Sequence, residues 1–287
     1  GIPCIDIGKK CNVNLQIAGE NELRTGGIRV PDSSVLTVVG DGNLTINLNS
    51  GKYFGIGNSL DEYHGELNFY QDGGIIINAN GMKGVGIGSG LGGVINIKRG
   101  HYEFDMKGQE GACIGSVNGD SELFIEYCDM DIYSGISNGT IIGSVNGNAD
   151  IKLENISAKL QGAGNIITGI GTIAGNSCIV RLENVNISSN IRAKECYGIG
   201  CRAGRTDIYI GYAAVKSVVQ GKAAVAFGNS IMSAKLYCSN ADIGTNAVTE
   251  FHSDIGALEK NIQLENGRAE FVLNGQEVKR QILAARL

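Results

Sequence analysis

The stretch GVGIGSGLGGVINIKRGHYEFDMKGQEGACIGSVNGDSELFI (84–125) contains the chain's unit of organisation twice over. Ile87-Gly88 returns as Ile114-Gly115, and the alternating segment ending at Ile97 returns as the one ending at Ile125. Working outward, Ile-Gly or Phe-Gly closes at Gly57, Gly88, Gly115, Gly143, Gly171, Gly200, Gly228 and Gly256, at nearly even intervals. A second series reads LNF at Phe69, INI at Ile97, LFI at Ile125, IKL at Leu153, VRL at Leu182, IYI at Ile210, AKL at Leu236 and IQL at Leu264. A third apolar patch recurs at Ile75 and Ile77, Tyr102 and Phe104, Met130 and Ile132, Val185 and Ile187, and Phe271 and Leu273. The series share one period of about 28 residues, which is the mark of a repeat architecture.

Short alternating segments bounded by Gly and Asn are strand and turn signals, and no helical pattern separates them. One such unit cannot bury its apolar positions by itself, whereas stacked units place Ile on Ile along a common axis. The expected fold is all-β: a right-handed, single-stranded parallel β-helix (solenoid) of about ten coils, spaced about 4.8 Å apart. A leucine-rich repeat, which has a similar period, is the disfavoured alternative because its L-x-x-L-x-L-x-x-N frame is missing. The chain reads as a single β-helix domain over 1–287, with shorter N-terminal coils over 1–50 and regular coils over 51–276. The segment EVKRQILAARL (277–287) lacks Gly and spaces Val278, Ile282, Leu283 and Leu287 as an amphipathic helix would, so it is expected to cap the last open coil.

Composition agrees. There are 44 Gly, 2 Pro and no Trp, with 18% charged and 43% hydrophobic residues. So much Gly argues against a helical bundle, two prolines exclude collagen, and the apolar content excludes disorder. A net charge of −5 makes nucleic acid an unexpected partner. No apolar run approaches membrane-spanning length. The chain opens at Gly1 without a signal-type stretch, which reads as a boundary behind any leader. The eight cysteines form no CxxC pair and lie far from the three histidines, so no metal is expected. They read as small buried hydrophobes, with a Cys196–Cys201 disulfide as the alternative.

The run 84–104 resembles Gly-rich repeats in large surface proteins of Gram-positive gut bacteria, and the opening segment 5–46 resembles the way such regions begin. The resemblance implies a β-helix that is carbohydrate-binding or adhesive and sits outside the cell. Eight cysteines depart from that group and keep a cytoplasmic location open.

Aligning outward positions by the period places Asn68, Asn96, Phe124, Lys152, Arg181, Tyr209, Lys235 and Gln263 in one row. A neighbouring row reads Tyr70, Lys98, Glu126, Glu154, Glu183, Gly211, Tyr237 and Glu265. One reading is cross-strand ion pairing, as between Lys98 and Glu126, at roughly 0.2–1 kcal/mol per pair. The other is a flat sugar-binding face on which Phe124, Tyr209 and Tyr237 stack on rings while Lys152, Arg181, Lys235, Glu126, Glu154 and Glu183 read hydroxyls. Asn155, Asn184 and Asn266 close LEN tripeptides and are expected to form a turn ladder. The line of glutamates offers too few oxygens for calcium unaided. No nucleophile or phosphate-loop motif appears, so neither a catalytic residue nor a cofactor is expected. The expected function is a non-catalytic surface module that binds polysaccharide or host glycan. A β-helix polysaccharide lyase or glycoside hydrolase and a structural spacer are the alternatives.

Overall fold

The computed structural model describes residues 2–251, 262–277 and 283–284. These form a parallel β-solenoid in which 23 strands, from Ile5–Asp6 to Leu283–Ala284, belong to one connected sheet; no helix occurs among the described residues. Segments such as Gly92–Ser116 remain extended while they turn the corners between faces.

On the first face the successive partners are Ile5, Ile28, Ile56, Ile87, Ile114, Ile142, Ile170, Ile199 and Phe227, nine rungs that enclose eight turns. The middle face stacks Val13, Leu36, Leu67, Ile95, Leu123, Ile151, Val180, Ile208, Leu236 and Ile262. The chain thus makes about eight complete turns, one per sequence repeat, with part-turns at its ends, slightly fewer than the ten coils read from the sequence. Over 1–50 the first coil is shorter than the repeat, with Ile5 stacked on Ile28 and Val13 on Leu36. The coil from Leu36 to Leu67 is already longer than the repeat, so the run of short coils expected over 1–50 ends early.

The Ile-Gly dipeptide has a mechanical cause. Gly143 has φ +133°, and a Cβ there would collide with the carbonyl oxygen of Gly171 on the next coil. Backbones that close admit only glycine. The preceding isoleucines point inward, and Ile56, Ile87, Ile114, Ile142, Ile170 and Ile199 are all fully buried. Each such side chain contributes roughly 1.5–3 kcal/mol of burial.

Two further ladders fix the corners that bound the middle face. Ser116, Ser144, Thr172 and Cys201 follow the ladder glycines and are buried. Ser144 Oγ accepts from the Gly147 N–H and donates to the Gly119 carbonyl, both at 2.8 Å. Thr172 Oγ1 repeats the pattern with Gly175 (3.2 Å) and Gly147 (2.7 Å). At the far corner Tyr127, Asn155, Asn184, Tyr212, Asn240 and Asn266 all take φ between 46° and 53°. Asn tolerates this left-handed conformation, and Asn184 Nδ2 donates to Asn155 Oδ1 at 2.5 Å, so the expected turn ladder is present and longer than read.

Three expectations need correction. The capping helix over 277–287 is replaced, at every described position, by strand. Gln276–Glu277 folds back antiparallel on Val272 and Leu273, and Leu283–Ala284 pairs with Gln263 and Leu264. Open strand edges are satisfied here by more strand rather than by a helical lid. Residues 278–282 and 285–287, with the Ile-Gly step at Gly256, lie outside the described residues. The third apolar series slips by two residues at Val185–Ile187 and at Phe271–Leu273: Ile187 continues the Met130 row, and Phe271 partners Thr245. Finally, all eight cysteines are free, six of them buried, so Cys196 and Cys201 form no disulfide.

Candidate functional site

The outward positions of the middle face follow from its register. Phe124, Lys152, Arg181, Tyr209, Tyr237 and Gln263 are successive partners and form one row. The adjacent row runs Glu126, Glu154, Glu183, Gly211, Ser239 and Glu265. Tyr237 therefore belongs beside Tyr209 rather than among the glutamates. Lys235 belongs one row over, opposite Asp207. The cause is Cys238, which partners Ile210 in the core where the sequence reading put Leu236. A buried cysteine fills the place of an aliphatic side chain, and the next step, from Cys238 to Leu264, falls short of the repeat.

With that register the glutamate row drops to Gly211 and Ser239 on the same two coils that carry Tyr209 and Tyr237. The result is an open hollow of about 750 Å³ lined by Lys152, Glu154, Arg181, Glu183, Tyr209 and Tyr237 among others. Its wall is the tyrosine pair, stacked at 5.0 Å between centroids and 7° between planes, with Tyr209 41% exposed. Its floor is Gly211 and Ser239, flanked along the axis by Glu183 with Arg181, with Lys152 and Glu154 one coil beyond, and on the other side by Glu265 with Gln263. The Glu183 carboxylate leans over Gly211, where a Cβ would strike it.

Ion pairs organise the charges on this face. Lys98 pairs with Glu126, and Arg181 pairs with Asp150 one row away. Lys152 Nζ lies 2.5 Å from Glu154. The Lys152 ammonium is held above its ordinary proton affinity first by the hydrogen bond to Glu154, with smaller contributions from Glu126 and Glu183. Phe124 and Glu126 are partly buried and flank the hollow without lining it, and Lys235 lies outside it. Of the other acidic positions, Asp131 pairs with Lys159 at 3.2 Å on the third face. Among the described residues no group of three or more His, Cys, Asp or Glu is placed to hold a metal ion.

Ser239 was not singled out in the sequence, because its significance lies in being small where other coils carry glutamate. Tyr212, at the corner that follows Gly211, was also missed. It is 64% exposed and occupies a left-handed position that four other coils give to Asn. A second depression of about 670 Å³ lies beside it, lined by Asn184, Asn186, Asn240, Asp242 and Asn266 among others.

No protein-family model matches this chain, and neither the curated proteins nor the solved structures include a significant match to it. No helix among the described residues is long and apolar enough to cross a membrane.

Proposed function

We propose that this solenoid is a non-catalytic module of a cell surface that binds glycan on its middle face, at the hollow beside Tyr209 and Tyr237. The observation that carries the proposal is the coincidence of the tyrosine pair with the gap at Gly211 and Ser239. An aromatic ring offers an apolar surface with a polar edge, suited to the CH-rich face and hydroxyl rim of a sugar. Convergent Arg, Lys, Gln and Glu side chains supply the polar contacts that fix orientation. The hollow runs along the solenoid axis over the coils of Arg181, Tyr209, Tyr237 and Gln263, which favours a polymer over an enclosed small molecule.

A lyase or hydrolase needs acid and base groups of different proton affinity on either side of one bond. The bases here are tied to carboxylates as ion pairs, and that arrangement favours binding over turnover. A spacer would have no use for a stacked tyrosine pair, Tyr209 exposed and Tyr237 half-buried, beside a hollow. The buried thiols also fit an extracellular setting, because six of the eight are shielded from oxidants.

A glycan array run with a reducing-end assay on the same polysaccharides tests the proposal. Binding without product supports it. Product release would establish an enzyme instead, and an empty array would leave the spacer.

A further inference from the structure

We propose that the hollow selects glycans carrying protonated amino groups and rejects acidic ones. This rests on the glycan-binding proposal above and names the class of sugar.

Two bases and three carboxylates line the hollow: Lys152 and Arg181 against Glu154, Glu183 and Glu265. Both bases are already engaged, Lys152 by Glu154 and Arg181 by Asp150. Glu183 and Glu265 have no salt bridge among the described residues, and they stand at the two ends of the tyrosine wall. Three rungs separate them, about 14 Å at the spacing of parallel strands. A ligand lying along the solenoid axis against Tyr209 and Tyr237 therefore meets a carboxylate at each end.

Lys152 shows what this row accepts. Its ammonium is stabilised by Glu154, and Glu126 and Glu183 add to the effect. In the two rows that line the hollow these coils supply no ammonium, because the positions are Tyr209 and Tyr237 with Gly211 and Ser239 beside them, and Lys235 lies one row over, opposite Asp207. An amino-sugar ammonium entering there would complete the alternation of charge that the preceding coils build from their own side chains. The ring faces add a second attraction, since tyrosine draws cations over its surface. A uronate or sulfated sugar would instead bring its charge toward Glu183 and Glu265, while the one guanidinium nearby is already paired with Asp150. Opposite signs make the two classes separable.

The test is calorimetric titration of the whole chain, at low salt in weakly acidic buffer, with three oligosaccharides of equal length: glucosamine, N-acetylglucosamine and galacturonic acid. The glucosamine oligomer should bind about fivefold to tenfold more tightly than the neutral one, the equivalent of about 1–1.4 kcal/mol shared between two exposed ion pairs. The galacturonate oligomer should bind most weakly. Glu183→Gln combined with Glu265→Gln should abolish the preference, bringing the affinities for the glucosamine and N-acetylglucosamine oligomers together. Galacturonate binding as tightly as glucosamine, or a preference that survives the double substitution, would overturn the proposal. Failure of all three oligomers would overturn it too. The glycan-binding proposal itself falls only if the array is empty as well.

Discussion

Replacing Gly143 by Ala adds a single methyl group at mid-solenoid, and the structure makes its cost calculable. Gly143 sits at φ +133°, and its added Cβ would drive into the Gly171 carbonyl oxygen. Holding Ala in a backbone region that suits glycine costs about 1–3 kcal/mol. Forcing apart packed coils whose Ile142 and Ile170 are fully buried costs about 1–3 kcal/mol more. The total is about 2–6 kcal/mol, and a chain of this size loses about 2–4 °C of Tm per kcal/mol. Differential scanning calorimetry should therefore show a fall of at least about 4 °C. Gly244→Ala is the control, because nothing lies within 4 Å of its added Cβ and its φ is not positive. That change should be neutral or stabilise by about 0.4–1 kcal/mol through the unfolded chain. Equal melting temperatures for the two variants would refute the steric account of the Ile-Gly repeat.

Three other outcomes follow from the same structure. Burial lowers His64 to about 4, so it stays neutral in the fold and its stabilising effect is complete above its unfolded value of about 6.5. Stability should drop by about 3 kcal/mol as pH falls from about 6.5 to about 4, and denaturant titration of His64→Asn should lack that share of the slope. Thiol titration with Ellman's reagent should count two reactive groups in the native protein, Cys4 and Cys11, and eight after unfolding. More than two native thiols would mean that the core is not closed. The left-handed Tyr212, at φ 46°, should gain about 1 kcal/mol of stability on substitution by Asn, read as a rise in Tm.

The parts of this fold that were legible in the sequence are those where one residue type has one mechanical role. The Ile-Gly pair is such a case, because from Gly57 to Gly228 glycine holds the close approach between coils and a large apolar side chain, Ile or Phe227, fills the rung beside it. Register was lost where a residue's role depends on its surroundings. Cys238 is a core rung that resembles a polar position, and buried Ser189 and Ser217 occupy the row that Ile132 and Leu160 fill earlier. Each misreading shifted a series by two residues, which in a strand keeps the face but moves the neighbour. That shift separated Tyr237 from Tyr209 and hid the hollow, whose floor is the absence of any large side chain at Gly211 and Ser239. The C-terminal segment misled for another reason: its apolar spacing suits a helix, but the exposed edges of the last coil are met by strand pairing instead.

The central claim is that Tyr209 and Tyr237 form the binding wall, and a direct measurement is the Kd of a Tyr209→Ala, Tyr237→Ala double variant. It should be titrated against whichever oligosaccharide the wild-type chain binds on the array, with Tm recorded in parallel. Both side chains point outward from the core, so Tm should change little. Loss of both rings should weaken binding about tenfold or more, the equivalent of about 1.4 kcal/mol. A double variant that melts normally and binds as tightly as the wild type would contradict the account.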